Sequence, residues 1–208
     1  MKKLLFTLAA ALILPAAAFA VQIVPSECTL DRQTDIATHA FCGICTGQEI
    51  KEPAGRTPFG TGSTSYTFKV TEDMKGNVGK DTFTFKAAGI PGKTKWMTTY
   101  SCNEKSTIEY CAMLTCSEKT QFCSTVCFTA GRFEVRPDAT GKKTLRSTMN
   151  RGMLFDGFQQ RNTSLMNTLP AREKDMITRT DAKEDMDRDD FIGVVRKLVE
   201  EKNKREKK

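Results

Sequence analysis

Two cysteines, Cys42 and Cys45, stand at C-x-x-C spacing in the stretch HAFCGICTGQEI (39–50), with Gly43 between them. That spacing serves two chemistries. One is a dithiol couple opening a helix, whose N-terminus lowers the pKa of the attacking thiol. The other is half of a tetrahedral zinc site, which Cys123 and Cys127 at C-x-x-x-C spacing would complete with two more thiolates. Cys28, Cys102, Cys111 and Cys116 bring the count to eight. An even count in an exported chain reads instead as structural disulfides, and all eight residues are candidates for that role. Their connectivity is not readable from spacing. His39 is the single histidine and has no evident partner for a Ser-His or Cys-His nucleophile. No H-E-x-x-H, phosphate-binding loop, G-x-S-x-G or EF-hand loop occurs. The acid pairs Asp189-Asp190 and Glu200-Glu201 fall in a charged tail and suit a solvated helix face. The expectation is a protein that is not an enzyme and that carries no catalytic residue, metal or cofactor.

The backbone that holds Cys42 and Cys45 decides between these uses. Downstream lie Gly47, Pro53, Gly55, Pro58, Gly60 and Gly62, which leave no room for the helix of a redox centre. No alternating strand and helix pattern surrounds the motif either. If 39–50 is a strand, residues three apart sit about 10 Å apart and point to opposite faces. A disulfide needs Cα atoms within about 7 Å. Cys42 and Cys45 are therefore expected to pair with different partners, one on each face of a sheet. Zinc is disfavoured by export to an oxidising compartment, and one metal would leave four cysteines unexplained.

The elements around them are legible from period-two alternation. SYTFKVTE (65–72) puts Tyr66, Phe68 and Val70 on one face, and DTFTFKAA (81–88) does the same with Phe83, Phe85 and Ala87. The glycines of DMKGNVGK between them suit a turn, so the pair reads as a hairpin. STIEYCAML (106–114) alternates through Ile108, Tyr110, Ala112 and Leu114; GRFEVRPDATGKKTLRS (131–147) reads as strand, turn and strand with Phe133 and Val135 inward. LDRQTDIATHA (30–40) allows a short lead-in helix. The segment 102–127 packs five cysteines together; it reads as a rigidified loop that can also present a binding surface, since its ordering cost is met in advance.

The first twenty residues, MKKLLFTLAAALILPAAAFA, have the form of a secretory signal peptide: Lys2 and Lys3, an apolar run from Leu4 to Leu14, and small residues at Ala18 and Ala20. Its removal would start the chain at Val21 and lower the formal charge from +7 to +5 with the loss of two lysines. Acids and bases are mixed along the remainder, unlike the concentrated basic face of a nucleic-acid binder. No later stretch is apolar enough for a membrane span. The expected organisation is a signal peptide at 1–20, a cysteine-rich β domain at 21–158, a polar linker at 159–186 and an amphipathic helix with a basic tip at 187–208. Phe191, Val194, Val195, Leu198 and Val199 form that helix's apolar stripe, which fits docking on the domain or on a partner surface. Asn162-Thr163-Ser164 matches the glycosylation pattern, but the short lysine-led leader looks bacterial.

Three stretches carry a resemblance to exported bacterial proteins whose core is of the TIMP/netrin-module type: YTFKVTEDMKGNVGKDTFTFKAAG (66–89), AGRFEVRPDATGKKTLRSTMNRGMLF (130–155) and DRDDFIGVVRKLVEEKN (187–203). The resemblance lies in their order and covers about a third of the chain. It implies a mainly β, disulfide-stabilised, OB/TIMP-like five-stranded barrel with a C-terminal α-helix. TIMP-type inhibitors act through an N-terminal cysteine, whereas Cys28 stands seven residues inside a chain beginning at Val21. The expected function is non-catalytic: a periplasmic or extracellular protein that engages a protein or cell-surface partner through barrel loops and the 102–127 segment, with no nucleic acid and no membrane span. The alternatives are a thiol–disulfide oxidoreductase using Cys42 and Cys45, and a secreted-protease inhibitor.

Overall fold

Alternating side chains demand a sheet with something apolar on at least one face, and here both faces are covered. The structure is a computed structural model that describes residues 28–53, 62–76, 78–79, 81–94, 97–120, 122–149, 151–179 and 186–207; the leader expected at 1–20 lies outside them. In chain order the elements are α1 (Leu30–Ile36), β1 (His39–Lys51), β2 (Ser63–Asp73), β3 (Thr82–Ala88), β4 (Glu109–Cys116), β5 (Cys123–Thr125), a 3-10 turn (Phe128–Gly131), β6 (Arg132–Pro137), β7 (Lys143–Ser147), α2 (Arg151–Leu154), α3 (Phe158–Arg161), α4 (Thr163–Thr168), α5 (Ala171–Thr178), β8 (Met186–Asp187) and α6 (Arg188–Glu206).

The strands form one antiparallel sheet in the order β3-β2-β1-β4-β6-β7-β8, with β5 paired to β4. The ladders leave the sheet open, so they do not by themselves complete the expected five-stranded barrel. The sheet has eight strands and two ends, β3 and β8, and a single parallel bridge, Lys86 to Phe122, relates β3 to the residue before β5. What stands is the mainly β antiparallel sheet, four disulfides and the C-terminal helix. The β2–β3 hairpin turns as expected. Asp73 fastens it by accepting backbone N–H bonds from Lys75 (3.1 Å), Gly76 (2.7 Å) and Val78 (3.1 Å), and Gly76 takes the positive φ of +80° that a side chain resists.

On one face lies an aromatic core of Phe41, Tyr66, Phe68, Phe85, Tyr100 and Tyr110. Tyr100 is its hub, with ring centroids 5.0 Å from Phe68 and 5.1 Å from Tyr66, both edge-on as ring quadrupoles favour. Burial pushes the Tyr100 hydroxyl up to about 12. The opposite face buries Cys42, Cys111, Met113, Phe133 and Leu145 under the helices. Because β4 meets both cores, six of its eight residues are buried in succession, Glu109 through Leu114.

The second core takes in part of the segment read as a polar linker at 159–186. Residues 158–178 form α3, α4 and α5, and Phe158, Leu165, Leu169, Met176 and Ile177 are buried in the helical core. Helix α6 docks there too: Phe191 lies 4.7 Å from the Phe133 ring, and Val194 and Val195 are fully buried, each such side chain contributing about 2 kcal/mol. Asp187 caps α6 by accepting from the Asp190 N–H at 2.9 Å.

Two ionic clusters clasp the elements together, one joining α6 to the sheet and the other α1 to α3. Buried Glu109 on β4 accepts from Arg188 Nε (3.1 Å) and Nη2 (2.5 Å), Thr71 Oγ1 (2.5 Å) and Lys143 Nζ (2.9 Å). Burial alone would raise its pKa, but the Arg188, Lys143 and Thr71 bonds hold the carboxyl below its ordinary 4.5. Asp31 on α1 takes a two-pronged grip from Arg161, through Nε at 2.7 Å and Nη2 at 2.9 Å, the geometry a planar guanidinium offers a carboxylate.

Candidate binding groove

All eight cysteines are bonded: Cys28–Cys127, Cys42–Cys111, Cys45–Cys102 and Cys116–Cys123. Cys42 and Cys45 sit on strand β1 with different partners, and their sulfurs serve opposite cores. Both are fully buried. The couple that a dithiol enzyme needs is not formed, and no helix begins there. The four thiolates considered for zinc, Cys42, Cys45, Cys123 and Cys127, are distributed over four separate bridges.

Cys42 lies directly opposite Cys111 in the β1–β4 ladder, and Cys116 directly opposite Cys123 in β4–β5. Register therefore chose these partners. At Gly43 the ladder with β2 shifts by a bulge, and a Cβ there would stand 2.7 Å from the Lys69 carbonyl oxygen. Glycine is required at this point by close approach of two backbones.

Much of the cysteine-rich 102–127 segment proves to be strand and core. Two parts remain outward: residues 103–105, and, between Cys116 and Cys123, the turn 117–120 with Phe122. The turn is clamped at both roots by the disulfide and by a Ser117 N–H bond to the Phe122 carbonyl at 2.9 Å. Phe122 is 40% exposed, one of three large apolar side chains on the surface among the described residues, with Ile36 and Ile50.

Beside this hairpin opens a groove of about 1000 Å³. Its walls are the β3 residues Phe83, Thr84 and Phe85 on one side, and Cys116, Ser117, Glu118 and Cys123 on the other. The end of α1 and the start of β1, residues 36–39, lie between them, and Lys75, Lys202 and Glu206 stand at the rim. His39 is stacked on Phe83 with ring centroids 5.1 Å apart, and its Nδ1 lies 2.9 Å from Thr38 Oγ1. Burial, aided by the nearby Lys75 charge, lowers its pKa from 6.5, so the ring is neutral at pH 7. The groove thus has an aromatic floor with a neutral imidazole, polar walls and mixed charge at its rim. It can seat an apolar side chain.

Neither protein-family models, nor curated proteins, nor solved structures give a match to this chain. The groove must be read from its own chemistry.

Sequence reasoning placed all eight cysteines in disulfides but singled out neither Phe122 nor the His39–Phe83 stack. A phenylalanine beside a cysteine carries no mark of exposure. The glycosylation pattern at Asn162 is occupied otherwise: its Nδ2 donates to Asp31 Oδ2 (3.2 Å) and the Phe158 carbonyl (3.1 Å), and the residue is buried. Among the described residues no helix is long and apolar enough to cross a membrane.

Proposed function

We propose that this is an exported, non-catalytic binding protein that engages a protein or cell-surface partner through the groove beside the Cys116–Cys123 hairpin. The observation that carries the reading is the pairing of a clamped turn with an open, aromatic-floored groove. The disulfide holds the turn 117–120 and Phe122 in place, so binding would not have to order them, and ordering is among the main costs of association. Phe122 offers the kind of aromatic anchor that dominates interface energetics. Four disulfides support export, because such bonds persist in oxidising compartments.

The scaffold we infer is an OB/TIMP-like barrel. In its support, β1 pairs with β2, β2 with β3, β4 with β1 and β5 with β4, while the Lys86–Phe122 bridge brings β3 and β5 together in parallel. That circuit is the strand order of such a barrel, with one bridge in place of its fifth ladder. The analogy concerns fold alone.

The test uses the mature protein immobilised and exposed to an envelope extract of the cells that export it. The comparison is the double variant Phe122→Ser, Glu118→Lys, checked for native circular dichroism. Partners retained by the parent and lost by the variant are expected. Equal retention of every species by both forms would remove the groove from the function.

A further inference from the structure

We propose that the groove takes an extended peptide, which adds as a strand to the free edge of β3 and seats an apolar side chain on the His39–Phe83 stack, with a basic residue beside Glu118. This inference rests on the binding role just proposed and names the chemistry of its partner.

The edge is the first argument. β3 ends the sheet and is paired on one side only, by β2. On its outer side, among the described residues, the one backbone pairing is the parallel bridge from Lys86 to Phe122. The bridge is parallel, so β5 runs on beside the residues after Lys86, while Phe85, Thr84 and Phe83, which wall the groove, precede the bridge and face the turn 117–120. The opening is therefore the gap between this part of the β3 edge and the hairpin residues that precede Phe122. An unpaired edge presents N–H and C=O groups at strand spacing and accepts a further strand. The Lys86 bridge shows that this edge already bonds to a strand lying in that position.

The second argument is what lies under such a strand. Every second side chain of an added strand points inward, and there the groove offers the half-buried faces of Phe83 and His39. These continue into the buried Phe41 and Phe85, whose rings lie 5.2 Å and 5.9 Å from Phe83. An apolar side chain entering here extends an existing aromatic cluster.

Charge is the third. Both lysines at the rim are engaged: Lys75 Nζ donates to the Thr34 carbonyl at 3.2 Å and to that of Ala37, and Lys202 Nζ donates to the Asp35 carbonyl at 2.8 Å with Glu206 3.9 Å away. Among the described residues no ion pair is formed by the exposed carboxylates of Asp35 and Glu118. Asp35, Glu118 and Glu206 outnumber the two lysines in the lining, so its charge sums to −1, which a Lys or Arg on the peptide answers.

The probe is a library of seven-residue peptides displayed on phage and selected on the mature protein, followed by synthesis of the enriched sequence. Three results are expected: an apolar centre with a basic end; slowed amide exchange at residues 82–85; and at least tenfold weaker binding when alternate peptide nitrogens are methylated in one register but not in the other, which strand addition demands. Enriched peptides that bind equally well with either register methylated, that protect residues elsewhere, or that carry acidic ends overturn the proposal, as does the absence of enrichment. If the peptides fail while envelope partners are still lost with Phe122→Ser, Glu118→Lys, strand addition falls and the binding role stands. If both fail, both fall.

Discussion

Replacing Arg188 by methionine should cost several kcal/mol and invert part of the protein's response to acid. Arg188 and Glu109 have side chains only 10% and 4% exposed, and two of the four bonds to Glu109 come from this guanidinium. Methionine keeps the aliphatic length and removes the charge. The carboxylate then retains Thr71 and Lys143, the latter on a side chain 61% exposed and well solvated. Stripping one partner from a buried pair costs about 3–5 kcal/mol, because the remaining charge stays desolvated. The surviving Lys143 bond places this case near the lower figure. For a chain of this size that corresponds to a fall in Tm of about 6–12 °C, readable by circular dichroism with urea titration as a second measure. The double variant Glu109→Met, Arg188→Met should regain at least half of the loss, since Thr71 and Lys143 can both turn to water.

The pH profile separates electrostatics from packing. In the parent, Glu109 is held below 4.5, so the unfolded chain binds its proton first as pH falls. The contribution of Glu109 is complete above the unfolded value and is lost as pH drops through the folded one. Without Arg188 the opposing effect of burial is less balanced and the folded pKa rises. The acid-side slope of stability must then flatten or change sign relative to the parent. A loss below about 1 kcal/mol, or an unchanged slope between pH 5 and 3, would refute the assignment of this cluster as the clasp between α6 and the sheet.

Arg161→Lys should lower stability measurably although charge is kept, because one ammonium cannot reproduce the two-pronged contact with Asp31; urea unfolding checks it. Gly43→Ala should cost about 1–3 kcal/mol, as its Cβ meets the Lys69 carbonyl with nowhere to move. Removing Cys116–Cys123 should cost about 2.5 kcal/mol by loop entropy and removing Cys28–Cys127 about 4.7 kcal/mol, since these bridges span 7 and 99 positions; paired serine variants in thermal melts give the order. His39 is held neutral, so stability should decline as pH falls from 7 to 5 through the range where the unfolded imidazole takes its proton, and His39→Gln should remove that slope.

Which parts of this molecule were legible in the sequence follows from how local their causes are. Tyr66, Phe68 and Val70 announce a strand face because alternation is a property of five consecutive residues, and all three are buried. The separation of Cys42 from Cys45 was legible for the same reason: strand geometry between neighbours forbids their bond. Their partners were not, because Cys111 faces Cys42 through a register between β1 and β4 set by the whole sheet. The helices at 158–178 escaped because each is short and contributes one or two apolar residues, Phe158, Leu165, then Met176 and Ile177, with Pro170 interrupting. No stripe longer than a turn exists to be read there, and packing against α6 and the sheet supplies what propensity does not. The groove is the extreme case. It exists because β3 meets the Cys116–Cys123 hairpin only at Lys86 and Phe122, which leaves Phe83 to Phe85 facing the turn 117–120, a meeting of segments more than thirty positions apart. Phe83 and Phe122 are the same residue type beside it, one turned toward the aromatic core and one toward solvent. Only their placement in the fold distinguishes them, and that same single meeting leaves β3 with an edge to offer.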